Sequence, residues 1–167
     1  MKILLTGEPR SGKTTVLNNL LVLFPNRQGF ITREIIVGGE RTGFELVSSS
    51  GRVANLASVD SDSKLRVGKY GVELKNLDDF LSQLDPIKPD SLVYVDEIGQ
   101  MELFSDLFKD IVDKYLNTDN LFIGAISIVY RDDFIKKVLD RDDVTLFHVT
   151  QQNRDDICDM VKKLISH

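Results

Sequence analysis

Gly7-Glu8-Pro9-Arg10-Ser11-Gly12-Lys13-Thr14-Thr15 fits the pattern G-x-x-x-x-G-K-[ST] of a phosphate-cradling loop. Its residue types account for the chemistry. Consecutive backbone N–H groups at the mouth of a helix form a nest for anions. Gly7 and Gly12 let the chain turn tightly, because glycine tolerates positive φ. The Lys13 ammonium can reach β- and γ-phosphate oxygens, and the Thr14 hydroxyl can ligate Mg²⁺. All nine loop residues are therefore candidate nucleotide contacts.

A phosphate loop that works with Mg²⁺ needs a carboxylate opposite it. Asp96 follows the apolar run Leu92-Val93-Tyr94-Val95, which is the Walker B pattern of a strand ending in an acid. Glu97 is next, and adjacent side chains at a strand end diverge. Asp96 would hold the metal with Thr14, while Glu97 would orient and deprotonate an attacking water. An Asp-Glu pair after a strand also suits a helix N-terminus on dipole grounds, but Lys13 in the same chain favours the metal reading.

These groups need a scaffold that brings residues 7–15 and 96–97 together. Ile3-Leu4-Leu5 precedes the loop as a buried strand over 2–6, and apolar residues at helical spacing follow it over 13–24, up to Pro25. From residue 92 the chain alternates. Apolar strands at Leu92–Val95, Leu121–Ile126 and Val144–Val149 are separated by helical patterns at 103–115, 131–140 and 153–165. Unbroken apolar strands alternating with amphipathic helices predict a mostly parallel sheet covered on both faces. Between these halves, extended runs broken by Gly38-Gly39 and Ser49-Ser50-Gly51 predict an antiparallel β meander over about 29–74, inserted after the first helix. A helix is expected at 76–84.

The fold class is thus α/β, a three-layer P-loop NTPase in a single domain spanning 1–167. An acid pair after the Walker strand marks the additional-strand branch shared by RecA-like and AAA+ enzymes. In that branch Leu121–Ile126 lies between the loop strand and the Walker B strand, and Ser127 at its end either senses the γ-phosphate or simply ends the strand.

Composition narrows the function. The 167 residues are 42 % hydrophobic, enough for a sizeable core. A net charge of −5 argues against general affinity for nucleic acid or anionic membrane. No apolar run approaches a membrane span, and Met1-Lys2 leads directly into a core strand without a signal peptide. The single cysteine, Cys158, excludes an internal disulfide and a cysteine zinc cage. A cytoplasmic location is the expectation.

Asp96-Glu97-Ile98-Gly99-Gln100-Met101-Glu102-Leu103 resembles the Asp-Glu-Ile-Gly-Lys-Met-Glu-Leu signature of a small P-loop nucleoside-triphosphatase family first known from thermophiles, which also has a human cancer-related member. Gly29–Glu34, Arg41-Thr42-Gly43-Phe44, Val67-Gly68-Lys69-Tyr70, and Thr150 with Asn153-Arg154-Asp155 are similar to other motifs of that family, so the resemblance spans essentially the whole chain. It implies Mg²⁺-dependent hydrolysis of nucleoside triphosphates, ATP and GTP among them, to the diphosphate and phosphate, with loose base selectivity. It also implies that Thr32 and Glu34, two apart on one strand face, look toward the site; solvated strand polarity is the other reading. Arg131 either approaches the γ-phosphate or lies on the surface. Asn153 and Arg154 either cap and begin the last helix or, for Arg154, contact the nucleotide. The chain departs from the family at Gln100, where lysine is usual, and at Arg10, where glycine is frequent; Arg10 either adds a cation beside the γ-phosphate or points to solvent.

Two other functions fit parts of the pattern. A small-molecule or nucleoside kinase would replace water with an acceptor hydroxyl, but no arginine cluster suggests the usual lid. A nucleotide-gated module that binds a protein partner and turns over slowly would fit the loss of the family lysine at Gln100.

Overall fold

The computed structural model describes residues 1–167. Nine strands form one mixed sheet. In chain order the elements are β1 (Lys2–Thr6), α1 (Lys13–Leu21), β2 (Arg27–Val37), β3 (Glu40–Ser48), β4 (Val53–Ser58), β5 (Arg66–Val67), β6 (Tyr70–Val72), α2 (Leu74–Ser82), β7 (Leu92–Ile98), a 3-10 turn (Glu102–Phe104), α3 (Asp106–Leu116), β8 (Phe122–Ile126), α4 (Asp133–Leu139), β9 (Val144–His148) and α5 (Arg154–Ile165). The strand order across the sheet is β5-β6-β4-β3-β2-β7-β8-β1-β9.

Strand period explains the layering. Side chains alternate across a strand, so Ile3 and Leu5 join one core with Leu92, Tyr94, Ile123 and the buried faces of α1 and α5. Leu4 joins the other, with Val93, Val95, Phe122, Ile126 and residues of α2, α3 and α4. β1, β7 and β8 are buried along nearly their whole length, as parallel strands covered on two faces must be. β9 closes the sheet at one edge and is more open, with Leu146 exposed.

β2 serves two neighbours. Its first half, Arg27–Ile31, pairs in parallel with Leu92–Asp96 of β7. Farther along, Phe30–Val37 pairs antiparallel with β3. The antiparallel strands β2 to β6 are therefore a continuation of the central sheet, joined through a strand that the glycine punctuation alone ascribes to the meander. Several boundaries also move. α1 ends at Leu21, and Leu23 and Phe24 close its last turn with N–H groups donated to Leu20 and Leu21 carbonyls ahead of Pro25. The apolar run from Leu103 is split at Ser105, whose hydroxyl accepts from Phe108 N and starts α3 afresh. Cys158 is buried in α5. No helix is long and apolar enough to cross a membrane.

Candidate active site

The loop between β1 and α1 is tied to the sheet's carboxyl edge. Thr6 Oγ1 donates to the Ile126 carbonyl at 3.0 Å, and Val149 N donates to the Thr6 carbonyl at 2.7 Å. Gly12 caps α1 at φ 108°, in the left-handed region, and a Cβ there would lie 2.8 Å from Arg154 Cδ. Gly12→Ala therefore has two obstacles, backbone strain of about 1–3 kcal/mol and a displaced arginine. It is expected to lower the melting temperature by several degrees in a thermal melt, at roughly 2–4 °C per kcal/mol for a chain of this size. Gly7 lacks room for another reason: a Cβ would meet the Val149 carbonyl oxygen at 2.3 Å.

A cleft of about 530 Å³ opens over this loop. Pro9 to Thr15 line one side of it, with Arg154 from the first turn of α5. Asp96 and Glu97 line it from β7, Thr32, Arg33 and Glu34 from β2, Arg41 and Phe44 from β3, and Met101 and Glu102 from the turn after β7. Gly7 and Glu8 do not line this cleft; their carbonyls accept from Lys13 Nζ at 2.6 and 3.3 Å. Glu8 instead faces a smaller pocket, about 200 Å³, shared with Arg10 and His148–Gln151. Arg10 is exposed at φ 64° and borders both.

The metal reading has a direct geometric test, which is whether Thr14 meets Asp96. Thr14 Oγ1 donates to Asp96 Oδ2 at 2.9 Å. A hydroxyl and a carboxylate side by side are hard oxygen donors of the kind Mg²⁺ takes, with its remaining positions left to water and phosphate. No cluster of three or more His, Cys, Asp or Glu side chains offers an all-protein cage elsewhere. The residues present therefore fit Mg²⁺. Burial pushes the Asp96 carboxyl up to about 7 against the pull of the Thr14 hydroxyl, and a bound cation would favour the charged form. Glu97 is also raised by burial, with Lys13 opposing.

Other candidates separate cleanly. Thr32 and Glu34 both line the cleft. Arg131 does not; its guanidinium donates to the carbonyls of Ser127 and Tyr130. Ser127 is buried, and its hydroxyl accepts from Tyr130 N. Asn153 is occupied locally, accepting from Thr150 N at 2.7 Å and donating to the His148 carbonyl. Gln100 is half-buried and does not line the cleft; the next residue, Met101, does.

Two features had no role assigned from sequence. Glu102 is only 4 % exposed, accepts from Thr32 Oγ1 at 3.1 Å, and lies at the cleft. Burial first, and then neighbouring Glu97, push its carboxyl up to about 8. Glu102 Oε2 and Glu97 Oε1 lie within 3.2 and 2.9 Å of the same point beside Gly99. Its sequence signal was its place within the 96–103 signature. The second is Arg41, stacked over the Phe44 and Tyr70 rings at 5.1 and 5.4 Å and bonded to Tyr70 Oη and Glu34 Oε1. It gives the far wall a fixed cation.

Comparison with known proteins bears on the family and the fold. A family model described as NTPase matches residues 2–162. The chain is 39 % identical over 159 residues to the nucleoside-triphosphatase THEP1 of Thermotoga petrophila, covering 94 % of this chain and 88 % of that one. It is 38 % identical over 162 residues to the nucleoside-triphosphatase THEP1 of Methanothermobacter thermautotrophicus, covering 93 % and 90 %. The crystal structure of THEP1 from Aquifex aeolicus superposes with a TM-score of 0.86 at 29 % identity over 100 % of both chains. The solution structure of a human cancer-related nucleoside triphosphatase superposes at 0.80 with 31 % identity, covering 98 % of this chain and 96 % of that one. With a family model spanning nearly its whole length and the Thermotoga and Methanothermobacter relatives sharing over a third of its residues, the chain belongs to the NTPase family.

Proposed function

We propose that this protein hydrolyses nucleoside 5′-triphosphates to the diphosphate and phosphate, with Mg²⁺ and little base preference. The observation that carries the reading is the Thr14–Asp96 hydrogen bond within a cleft that also holds Lys13 and Glu97. The names of the relatives, nucleoside-triphosphatases, support it.

In this reading the loop of residues 7–15 cradles the phosphates through its backbone N–H groups, Pro9 alone lacking one, and Lys13 neutralises charge on the β- and γ-oxygens. Thr14 and Asp96 hold Mg²⁺, which when bound offsets phosphate charge. Glu97 orients a water and takes its proton as the water oxygen bonds to the γ-phosphorus. The bond from that phosphorus to the bridging oxygen breaks, and its electron pair leaves with the diphosphate. Arg154, lying on Gly12, contacts the nucleotide beside the loop. β8 between β1 and β7 supports assignment to the additional-strand branch, and nine strands in one sheet support a single domain over 1–167. The protein acts in the cytoplasm on small nucleotides, with no general nucleic-acid binding and no membrane partner.

Phosphate release from ATP, GTP, CTP and UTP, each with Mg²⁺ and with excess chelator, tests this. All four rates are expected to fall within about tenfold, a spread of ~1.4 kcal/mol in barrier height. The chain has no Asn-Lys-x-Asp guanine-reading motif. Chelation is expected to stop release. A strong preference for one base overturns the base tolerance, and release that persists in chelator overturns the metal role.

A further inference from the structure

A threonine hydroxyl has one hydrogen to donate and lone pairs to accept with. In Thr32 that hydrogen is committed whenever Glu102 is a carboxylate, because Oγ1 donates to Glu102 Oε1. What the hydroxyl offers the cleft is then its lone pairs. Thr32 stands in the right place to use them. Ile31 is the last β2 residue paired with β7, opposite Asp96, and the next residue on each strand, Thr32 and Glu97, lines the cleft. Glu97 and Glu102 in turn converge beside Gly99.

We propose that Thr32 accepts one hydrogen of the attacking water while Glu97 accepts the other, with Glu102 as the positioning residue that keeps the Thr32 hydroxyl an acceptor. This rests on the hydrolytic reading above and deepens it. A water bonded to one acceptor rotates freely about that bond. Two acceptors hold it with a lone pair directed at the phosphorus, and such orientation carries a large share of rate in reactions of bound partners. As the oxygen–phosphorus bond forms, the hydrogen on the Glu97 side leaves as the proton. The hydrogen on the Thr32 side stays on the oxygen and departs with the released phosphate, while the bridging bond breaks toward the diphosphate. An alcohol has one hydroxyl hydrogen and can satisfy only Glu97, so the second acceptor selects water over an acceptor alcohol.

The buried carboxyl behind Thr32 is the unusual part. Burial raises its affinity for a proton, to about 8, and donation from Thr32 opposes that rise by stabilising the charged form. The comparison of variants therefore belongs in buffer well above that value, where Glu102 is a carboxylate.

The test is single-turnover ATP hydrolysis with Mg²⁺, alongside Mg–ADP affinity, for wild type, Thr32→Val, Thr32→Ser, Glu102→Gln and Glu97→Gln, each checked for folding by its thermal melt. Thr32→Val, nearly the same shape without the hydroxyl, is expected to slow hydrolysis at least about tenfold while ADP affinity stays within about twofold. Thr32→Ser is expected to recover most of the rate. Glu102→Gln keeps the shape, but its carboxamide can present either N–H or C=O to Thr32, so the hydroxyl hydrogen is only partly held and the variant is expected to be slower than wild type and faster than Thr32→Val. Wild-type hydrolysis in Thr32→Val or in Glu102→Gln, or a Thr32→Ser enzyme as slow as Thr32→Val, overturns the proposal. Wild-type hydrolysis in Glu97→Gln overturns the role of Glu97 and with it this placement of the water, whereas no hydrolysis by the wild-type protein overturns the hydrolytic reading itself, which is a separate failure.

Discussion

Glu97→Gln is expected to lose at least about 100-fold in hydrolysis while binding Mg²⁺–nucleotide almost as wild type does, the low end of what a positioned general base contributes. The substitution keeps the size of the side chain and its place at the end of β7. It removes the ability to take a proton from water. The Thr14 hydroxyl donates to Asp96 and not to Glu97, so Glu97 stands outside the hydroxyl–carboxylate pair that fits the metal. Asp96→Asn should behave differently, because Asp96 is the partner of Thr14 and its charge is what a cation would meet. It is expected to weaken metal-dependent nucleotide binding as well as turnover. Affinity for a fluorescent nucleotide with and without Mg²⁺, set beside single-turnover rates, separates the two. Near-normal hydrolysis by Glu97→Gln would show that another group takes the proton.

The parts of this site that were legible in the sequence are those whose chemistry is written in consecutive residues. The loop at 7–15 and the acids at 96–97 each follow an apolar strand, and strand ends at one sheet edge are brought together by topology. Local spacing was therefore sufficient to place Lys13, Thr14, Asp96 and Glu97 in one cleft. The far wall was not legible in the same way. Thr32, Arg41, Phe44, Tyr70 and Glu102 meet through strand pairings between segments far apart in the chain, and periodicity says which face a residue is on, not which strand lies next to it. β2 shows the difficulty most clearly. Its glycine-bounded second half reads as a hairpin strand, while its parallel pairing with β7 depends on a partner about 65 residues away in sequence.

Gln100 illustrates a smaller limit. Its position three residues after Glu97 allows a turn that would bring it into the pocket, and a lysine there would have placed a cation near the phosphoryl group. The chain instead enters a 3-10 turn at Glu102, and Met101 and Glu102 line the cleft while Gln100 does not. The departure from the family lysine therefore falls beside the candidate machinery, while the buried acid two residues later lines the cleft. Arg154 was legible only as an alternative between helix start and nucleotide contact. It begins α5 and also packs against Gly12, so the two readings were compatible.

Lys13→Ala is expected to cut hydrolysis at least about 100-fold, the scale of losing one preorganised electrostatic contact to the charge that develops in the transition state. Lys13 is the first residue of α1 and the only lysine in the loop. Its ammonium donates to the Gly7 and Glu8 carbonyls, so the cation is held across the mouth of the anion nest and does not sweep through solvent. That pre-arrangement lowers the ordering cost of each phosphate contact it makes, and alanine removes the charge and the arrangement together. Lys13→Arg should not restore activity, since a planar fork cannot sit as a compact point charge between two loop carbonyls and the phosphates. Lys137→Ala is the control, because that lysine pairs with Asp113 on an exposed face and the loss of a surface ion pair costs little. Phosphate release from the three variants, with thermal melts to verify folding, decides the matter. Unaltered turnover in a folded Lys13→Ala protein would mean that the loop is not where the triphosphate is cleaved.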